Sequence, residues 1–402
     1  MSLLRLSIAY LRARWLFSAL NVLLLALGIA SITVVMLATH QIESHMVRDA
    51  EGIDLVVGAK GSPLQLVLSG VYHLDVPTGN IPLAQARALE AHPAVKQALP
   101  LALGDSFQGY RIVGTTHDYI AHYGGEIESG ELYIDPLEAV LGAEVARTTG
   151  LRVGDTFAGV HGIAEAGDAH HEHPYDVVGV LKPTGTVLDR LILTMVESVW
   201  DVHPHEGPQP LKPDGTPDWD AGKELTALLI QYSSPLAAAL FPRYVNSQGA
   251  LQAASPAFET ARLFQIMGVG VDALRAFAAV LIVAAALSVF IALYSALEER
   301  RYDLAIMRTL GASRGRLFGL LLTEGLLLTA AGGLLGLVLG HLAAEILGAS
   351  LRAARQVEIT GWTFVPAELW LVALALAAGL AAALLPAWRA YRTDIAKILA
   401  EG

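Results

Sequence analysis

The chain has 402 residues, 54% of them hydrophobic and only 16% charged, with no cysteine and a formal net charge of −11. That apolar share marks a membrane protein with one soluble portion. The missing cysteine excludes disulfides and thiolate metal sites, and the acidity excludes the basic footprint of a nucleic-acid binder.

At the N-terminus Leu4, Ile8, Leu11 and Trp15 fall on one helical face, with Arg5 and Arg12 on another. Residues 1–15 are therefore expected to form an interfacial cytoplasmic helix. The run Leu16–Thr39 is free of charge and meets the roughly 20 residues a bilayer requires. It is too long for a signal-peptide core and has no convincing cleavage site, so residues 16–39 are read as a retained first transmembrane helix. The shorter run Pro63–Val71 is assigned to soluble core.

Residues 40–266 form the expected extracytoplasmic domain. They hold 28 Asp and Glu against 13 Lys and Arg, so the chain's acidity resides here. Asp54–Val57, Tyr110–Val113 and Tyr175–Val180 have strand composition. Ile81–Leu99 reads as a helix opened by Pro82, with Leu83, Ala86, Leu89 and Leu99 on its core face. Gly150–Gly154 and Asp155 announce a turn before a strand at Thr156. Strands mixed with helices predict an α+β domain.

Twelve of the thirteen histidines lie in this segment, His341 being the exception. His161, His170, His171 and His173 cluster in one loop, His203 and His205 in a second, with Asp168, Glu172 and Glu206 among them. Imidazole and carboxylate together suit Zn²⁺, so these six histidines are candidate metal ligands. Short His-rich tracts also occur as inert loop composition, and no HExxH pattern is present to support a zinc protease. The Pro-, Gly- and Asp-rich stretch Glu206–Glu224 reads as a surface insertion.

Three further spans follow. Ala276–Leu297 lies within a second transmembrane helix at 267–297, Leu317–Gly340 forms the third at 317–340, and Trp370–Trp388 marks the fourth at 369–388. Residues 298–316 connect the second and third, 341–368 the third and fourth, and 389–402 form a tail. Arg5, Arg12 and Arg14 precede the first span; Arg300, Arg301, Arg308, Arg314 and Arg316 sit between the second and third; Arg389, Arg392 and Lys397 follow the last. The positive-inside rule places these segments and both termini in the cytoplasm.

In the arginine-rich loop Leu304, Met307 and Leu310 recur at three-residue spacing, which predicts a short helix with one apolar stripe. Gly311 suits a left-handed helix end and Ser313 the cap of the next helix. The third span carries Gly332, Gly336 and Gly340, a flat face for close helix packing within one subunit or between two. Glu324 costs on the order of 2.5–3.5 kcal/mol if central in a span. A hydrogen-bonded structural role and a proton relay are the alternatives for it.

The run from Glu298 through Arg314 to Glu324, containing Leu304–Arg308 and Thr309–Arg314, resembles the cytoplasmic loop and following helix of the FtsX-like permease family. Pro386–Ala390 with Asp394 and Leu399 resembles the family's C-terminal ending, with Ile395 where proline is common. The segments around Arg111–Ile120, Ala139–Phe157 and Tyr175–Leu193 resemble the periplasmic core domain of MacB-like permeases. The resemblance implies an α-helical membrane protein with four transmembrane helices and a large α+β extracytoplasmic domain between helices 1 and 2. It further implies a multi-pass protein of the bacterial inner membrane and a separate ABC ATPase partner docked on Tyr302, Leu304, Met307, Arg308, Leu310, Gly311 and Ser313. A homodimer and a periplasmic adaptor or substrate protein are also expected.

No GxxxxGK[ST] phosphate loop occurs, so ATP is expected to be used by the partner and no cofactor by this chain, Zn²⁺ apart. The leading expectation is a MacB-like permease acting in export or envelope remodelling, with metal handling as a specialisation. The alternatives are an FtsX-like scaffold that activates an extracytoplasmic enzyme and a lipoprotein-release permease.

Overall fold

The computed structural model describes residues 3–162, 172–202, 220–353 and 359–392. It divides into two compact units, Met1–Ile42 with Met267–Gly402, and Glu43–Ile266.

The first unit is helical. An amphipathic helix α1 (Leu3–Ala13) precedes α2 (Trp15–Asp49), whose last seven residues belong to the second unit. In α1, Leu3, Leu6 and Tyr10 pack on the bundle, whereas Leu4 and Ile8 stay exposed, as does Trp15 at the start of α2. Of the four residues expected on one helical face, Leu11 is half-buried against the bundle and the other three are exposed.

The second unit runs β1 (Leu55–Ala59), α3 (Pro63–Gly70), β2 (Ile81–Pro82), α4 (Leu83–Glu90), β3 (Val95–Phe107), β4 (Tyr110–Thr115), α5 (His117–His122), β5 (Ile127–Gly130), β6 (Glu138–Leu141) and α6 (Ala143–Thr149). It continues through β7 (Thr156–Phe157), β8 (Val160–His161), β9 (Tyr175–Leu181), β10 (Leu191–Met195), α7 (Val196–Val202), β11 (Glu224–Leu225), β12 (Ala227–Tyr232), α8 (Pro235–Asn246) and β13 (Leu251–Ala254). The sequence signals explain several boundaries. Ser62 and Ser234 cap α3 and α8 through their hydroxyls, each followed by a proline at the first helical position.

The predicted helix over Ile81–Leu99 is corrected. Only Leu83–Glu90 is helical, and Leu99 lies in β3 opposite Leu229. Pro93 disfavours a helical conformation at His92 and so ends the helix there. Leu83, Ala86 and Leu89 do form the buried face.

Among the described residues the main sheet has the order β13-β1-β12-β3-β4-β10-β6-β9-β5, with β7 on β9 and β8 on β3. Pairings are antiparallel except β4 with β10 and β6 with β9. One core lies over β1, β12 and β3, where Leu228, Ile230 and Phe241 are buried; another lies over β4, β6, β9 and β10, around Ile112, Leu141 and Tyr175. A buried polar cluster stitches β4 to the segment after α3. Arg111 donates through Nε to the His73 carbonyl at 3.1 Å and also to the Asp75 carbonyl, while His73 Nε2 and the Tyr119 hydroxyl share a hydrogen bond of 3.0 Å.

The chain returns to the first unit through α9 (Pro256–Glu299), then α10 (Arg301–Thr309), α11 (Arg314–Ala353) and α12 (Glu368–Arg392). Helices α2, α9, α11 and α12 are long and apolar enough to cross a membrane. The fold is thus four membrane helices with an α+β domain between the first and second.

Candidate functional site

The junction of α9, α10 and α11 gathers most of the sequence-predicted site. Helix α10 ends at Thr309 with Leu310 as its C-cap, and Gly311 adopts φ +95°, which an L-residue rarely tolerates. The amide of Ala312 donates to the Met307 carbonyl at 3.0 Å and that of Gly311 to Arg308 at 3.1 Å, so the turn satisfies the last carbonyls of the helix. Ser313 Oγ then accepts from the Arg316 amide at 3.3 Å and caps α11.

The seven residues of the predicted docking set do not share one face. Leu304 is 6% exposed and joins Leu317, Leu320, Leu321 and Ala387 in the bundle's own core, with Met307 packed beside it. Leu310, predicted on the same stripe, is instead 81% exposed. The physical reason is angular. Successive helical residues turn by about 100°, so three-residue steps drift by about 60° each, and two of them carry Leu310 off the buried side. The outward stripe is Tyr302, Ile306 and Leu310, at four-residue spacing, exposed by 53%, 38% and 81%. Ile306 went unnoticed in the sequence, although its spacing to Tyr302 and Leu310 was the available signal. Gly311 and Ser313 are exposed beside it, and Arg308 is half-buried, its Nε buried with no hydrogen-bond partner among the described residues. A hollow of about 330 Å³ opens between α1, α10 and α11, lined by Leu3, Leu6, Met307, Leu310 and Leu317.

Behind α10 lies an ion pair that sequence reasoning did not assemble. Arg300, the residue before α10, places Nη1 3.2 Å from Glu324 Oε1, and its guanidinium carbon stands 3.8 Å from the centre of the Tyr10 ring. Arg14 of the α1–α2 turn pairs with Glu299 alongside. Glu324 is therefore hydrogen-bonded and charge-paired, and it ties α11 to the start of α10 while Tyr10 ties both to α1. The signal available in the sequence was an unmatched carboxylate in one span and an arginine at the mouth of the previous one.

The glycine ladder is filled within the chain. A Cβ on Gly332 would lie 3.0 Å from Leu25, on Gly336 2.7 Å from Ile29 Cβ, and on Gly340 2.6 Å from Thr33 Cβ. These three neighbours recur at four-residue spacing on α2, so two backbones meet along matched ridges. On its other side α11 meets α12, where Gly325 faces Ala383 and Gly379 faces Thr329.

The connection after α11 carries a second polar clamp. Gln41 and Thr360 exchange two hydrogen bonds of 2.9 Å. Glu345 Oε2 accepts from Thr360 Oγ1 at 2.9 Å and from the Gly361 amide at 2.8 Å. Glu368 accepts from the Val365 amide at 2.9 Å and contacts His341 Nε2 at 2.9 Å.

Of the metal candidates, His170, His171, His203 and His205 lie outside the described residues. His161 is exposed, its Nδ1 3.5 Å from Asp105 Oδ1, and His173 is half-buried. Among the described residues no group of three or more metal-ligating side chains occurs.

Residues 275–395 match the family described as FtsX-like permease C-terminal, and residues 18–209 match the MacB-like periplasmic core domain. No curated protein matches the chain. Among solved structures, the chain is similar to the extracellular domain of the noncanonic ABC-type transporter YknZ from Gram-positive bacteria. The identity is 14%, over 50% of this chain and 98% of that chain, with a TM-score of 0.29.

Proposed function

The chain belongs to the FtsX-like and MacB-like permease family, and from that premise we propose that it couples a separate ABC ATPase, docked on α10, to movement of its extracellular domain. The observation that carries this is the unpartnered stripe of Tyr302, Ile306 and Leu310 on a helix whose opposite face is locked into the membrane bundle. An exposed apolar stripe in water is costly unless a partner covers it. The hollow beside Leu310 can accept an apolar side chain, and the orphaned Arg308 Nε can be satisfied by an acceptor from the same partner.

In this mechanism the ATPase binds and hydrolyses ATP, and this chain contributes rigid connections. A displacement of α10 passes through Leu304 and the Arg300–Glu324 pair to α11, and directly to α9 through the single residue between them. Both α9 and α2 continue along the chain into the extracellular domain. Export or envelope remodelling is the work so driven. Two copies with two ATPases complete the proposed assembly. Since α2 already occupies the glycine ladder, the second copy is expected on an exposed apolar face such as Val280, Val283 and Leu287 of α9.

The test is co-purification of the ATPase with Ile306→Asp/Leu310→Asp. Both positions are exposed, so the expected result is a normally folded membrane protein without its ATPase. Undiminished co-purification would overturn the docking assignment. Leu304 is unsuited to this test, because an aspartate there would disrupt the bundle itself.

A further inference from the structure

In the extracellular domain β3 is longer than its neighbour β4. Residues Val95–Leu101 pair with β12 on one side, but β4 joins the other side only from Ala102 onward. The sheet therefore splits where β4 ends at Thr115, and the first half of β3 has an edge paired with no described residue. Its hydrogen-bonding direction can be read from the ladder. The Pro100 carbonyl points away from β12 and accepts from Thr115 Oγ1 at 2.8 Å. Backbone directions alternate with period two along a strand, so the N–H and C=O of Ala98 face the same open side. Consistently, the carbonyl of its partner residue Ile230 is turned toward β1, accepting from the Asp54 amide at 2.9 Å.

That edge lines a cleft of about 700 Å³ between α4, α7 and the start of α5. Such a volume lies within the roughly 300–1,000 Å³ of ligand clefts. Its walls mix apolar and charged side chains, among them Ile134, Trp200, Arg87, Lys96, Asp118 and Glu197. Trp200 is held in place by donating from Nε1 to the Glu224 carbonyl at 2.7 Å and by Lys223 over its ring. An open edge in water is ordinarily blunted or covered. Here the edge is set inside a cleft with room for a strand.

We propose that this cleft binds an extended peptide segment of an extracellular partner protein, which adds to the sheet along the free edge of β3. Backbone hydrogen bonds to Ala98 would supply register, and the cleft walls would supply side-chain selection. The cleft lining itself carries Glu90, Asp118 and Glu197 against Arg87 and Lys96, a slight acidic excess, within a segment 40–266 that holds 28 acidic against 13 basic residues. The same excess favours a segment bearing lysine or arginine between apolar residues. The site involves the extracellular domain alone and is independent of what docks on α10.

The experiment uses the full chain in detergent and a labelled pool of capped six-residue peptides, with lysine at both ends and randomised central positions. A second pool carries an N-methyl group on every residue, so that neither edge of the extended peptide can donate to the sheet. The first pool is expected to bind and to slow amide hydrogen exchange in residues 95–100, whereas the methylated pool is not. Ala98→Pro removes the open-side donor while sparing the β12 ladder, as edge strands allow, and should weaken binding about tenfold or more. If that variant fails to fold, the comparison of the two pools on the natural chain still decides. Equal binding of both pools, protection confined to other segments, or no binding by the first pool would each overturn the proposal.

Discussion

In the membrane bundle α11 meets α2 through Gly332, Gly336 and Gly340, whereas the interior of the extracellular domain is filled by Leu228, Ile230 and Phe241. The difference follows from the solvent each region displaces. Lipid tails are as apolar as leucine, so the bundle gains little from large side chains and relies on close backbone approach and buried polar pairs. The domain excludes water, and each large apolar residue it hides contributes roughly 1.5–3 kcal/mol. The bundle should therefore fail when side chains are added, the domain when they are removed.

The largest expected effect is that of Gly336→Leu. Even its Cβ would stand 2.7 Å from Ile29 Cβ and 2.8 Å from the Ala26 carbonyl oxygen. No monodisperse full chain should be recovered by size-exclusion chromatography. Gly268→Ala, where nothing lies within 4 Å, should behave as the natural protein and so separates packing from helix propensity. Normal behaviour of Gly336→Leu would show that the ladder does not hold α2 and α11 together.

In the domain, Phe241→Ala is expected to cost about 3–5 kcal/mol, read as a lowered unfolding midpoint. Glu324→Ala tests the polar half of the bundle. Loss of the carboxylate leaves the Arg300 charge buried without its partner, a change worth about 3–5 kcal/mol, and thermal unfolding in detergent should report it. Replacing both residues with apolar ones of similar size should recover much of that loss.

A smaller effect concerns pH. Burial first, then the charges of Arg111 and Arg190, hold the His73 imidazole well below its ordinary value. Above about pH 6.5 the ring is neutral in both folded and unfolded chains. Below that, the unfolded chain takes up a proton the folded one refuses, so domain stability should fall by at most about 1.4 kcal/mol per pH unit. His73→Asn should flatten the profile between roughly pH 5 and 6.5; asparagine suits the φ of +55° found there. An unchanged slope would assign the pH response to other groups.

The four spans were legible because a bilayer demands long charge-free runs, and the family motifs stand in the loop and tail that flank them. The α+β character of the domain was legible from short β-branched runs. Less so was the end of α4, where the apolar spacing of Leu89 and Leu99 suited a helix while Pro93 imposed a strand. Periodicity also showed that α10 has faces without showing which one the bundle takes. Leu304 and Leu310 look alike in sequence, and only the neighbouring helices bury one and leave the other exposed. The Arg300–Glu324 pair and the clamp of Gln41, Glu345 and Glu368 join residues far apart in the chain, beyond the reach of any local pattern.

The most direct test of the coupling account is site-specific crosslinking, for which a chain with no cysteine is well suited. Single cysteines replace Ile306, Leu310 and, as a control far from α10, Trp362, each in the full chain with its ATPase. The account predicts crosslinks to the ATPase from Ile306→Cys and Leu310→Cys alone, with yields that change when ATP is added. Absence of crosslinks at both positions, or equal yield at Trp362→Cys, would contradict it.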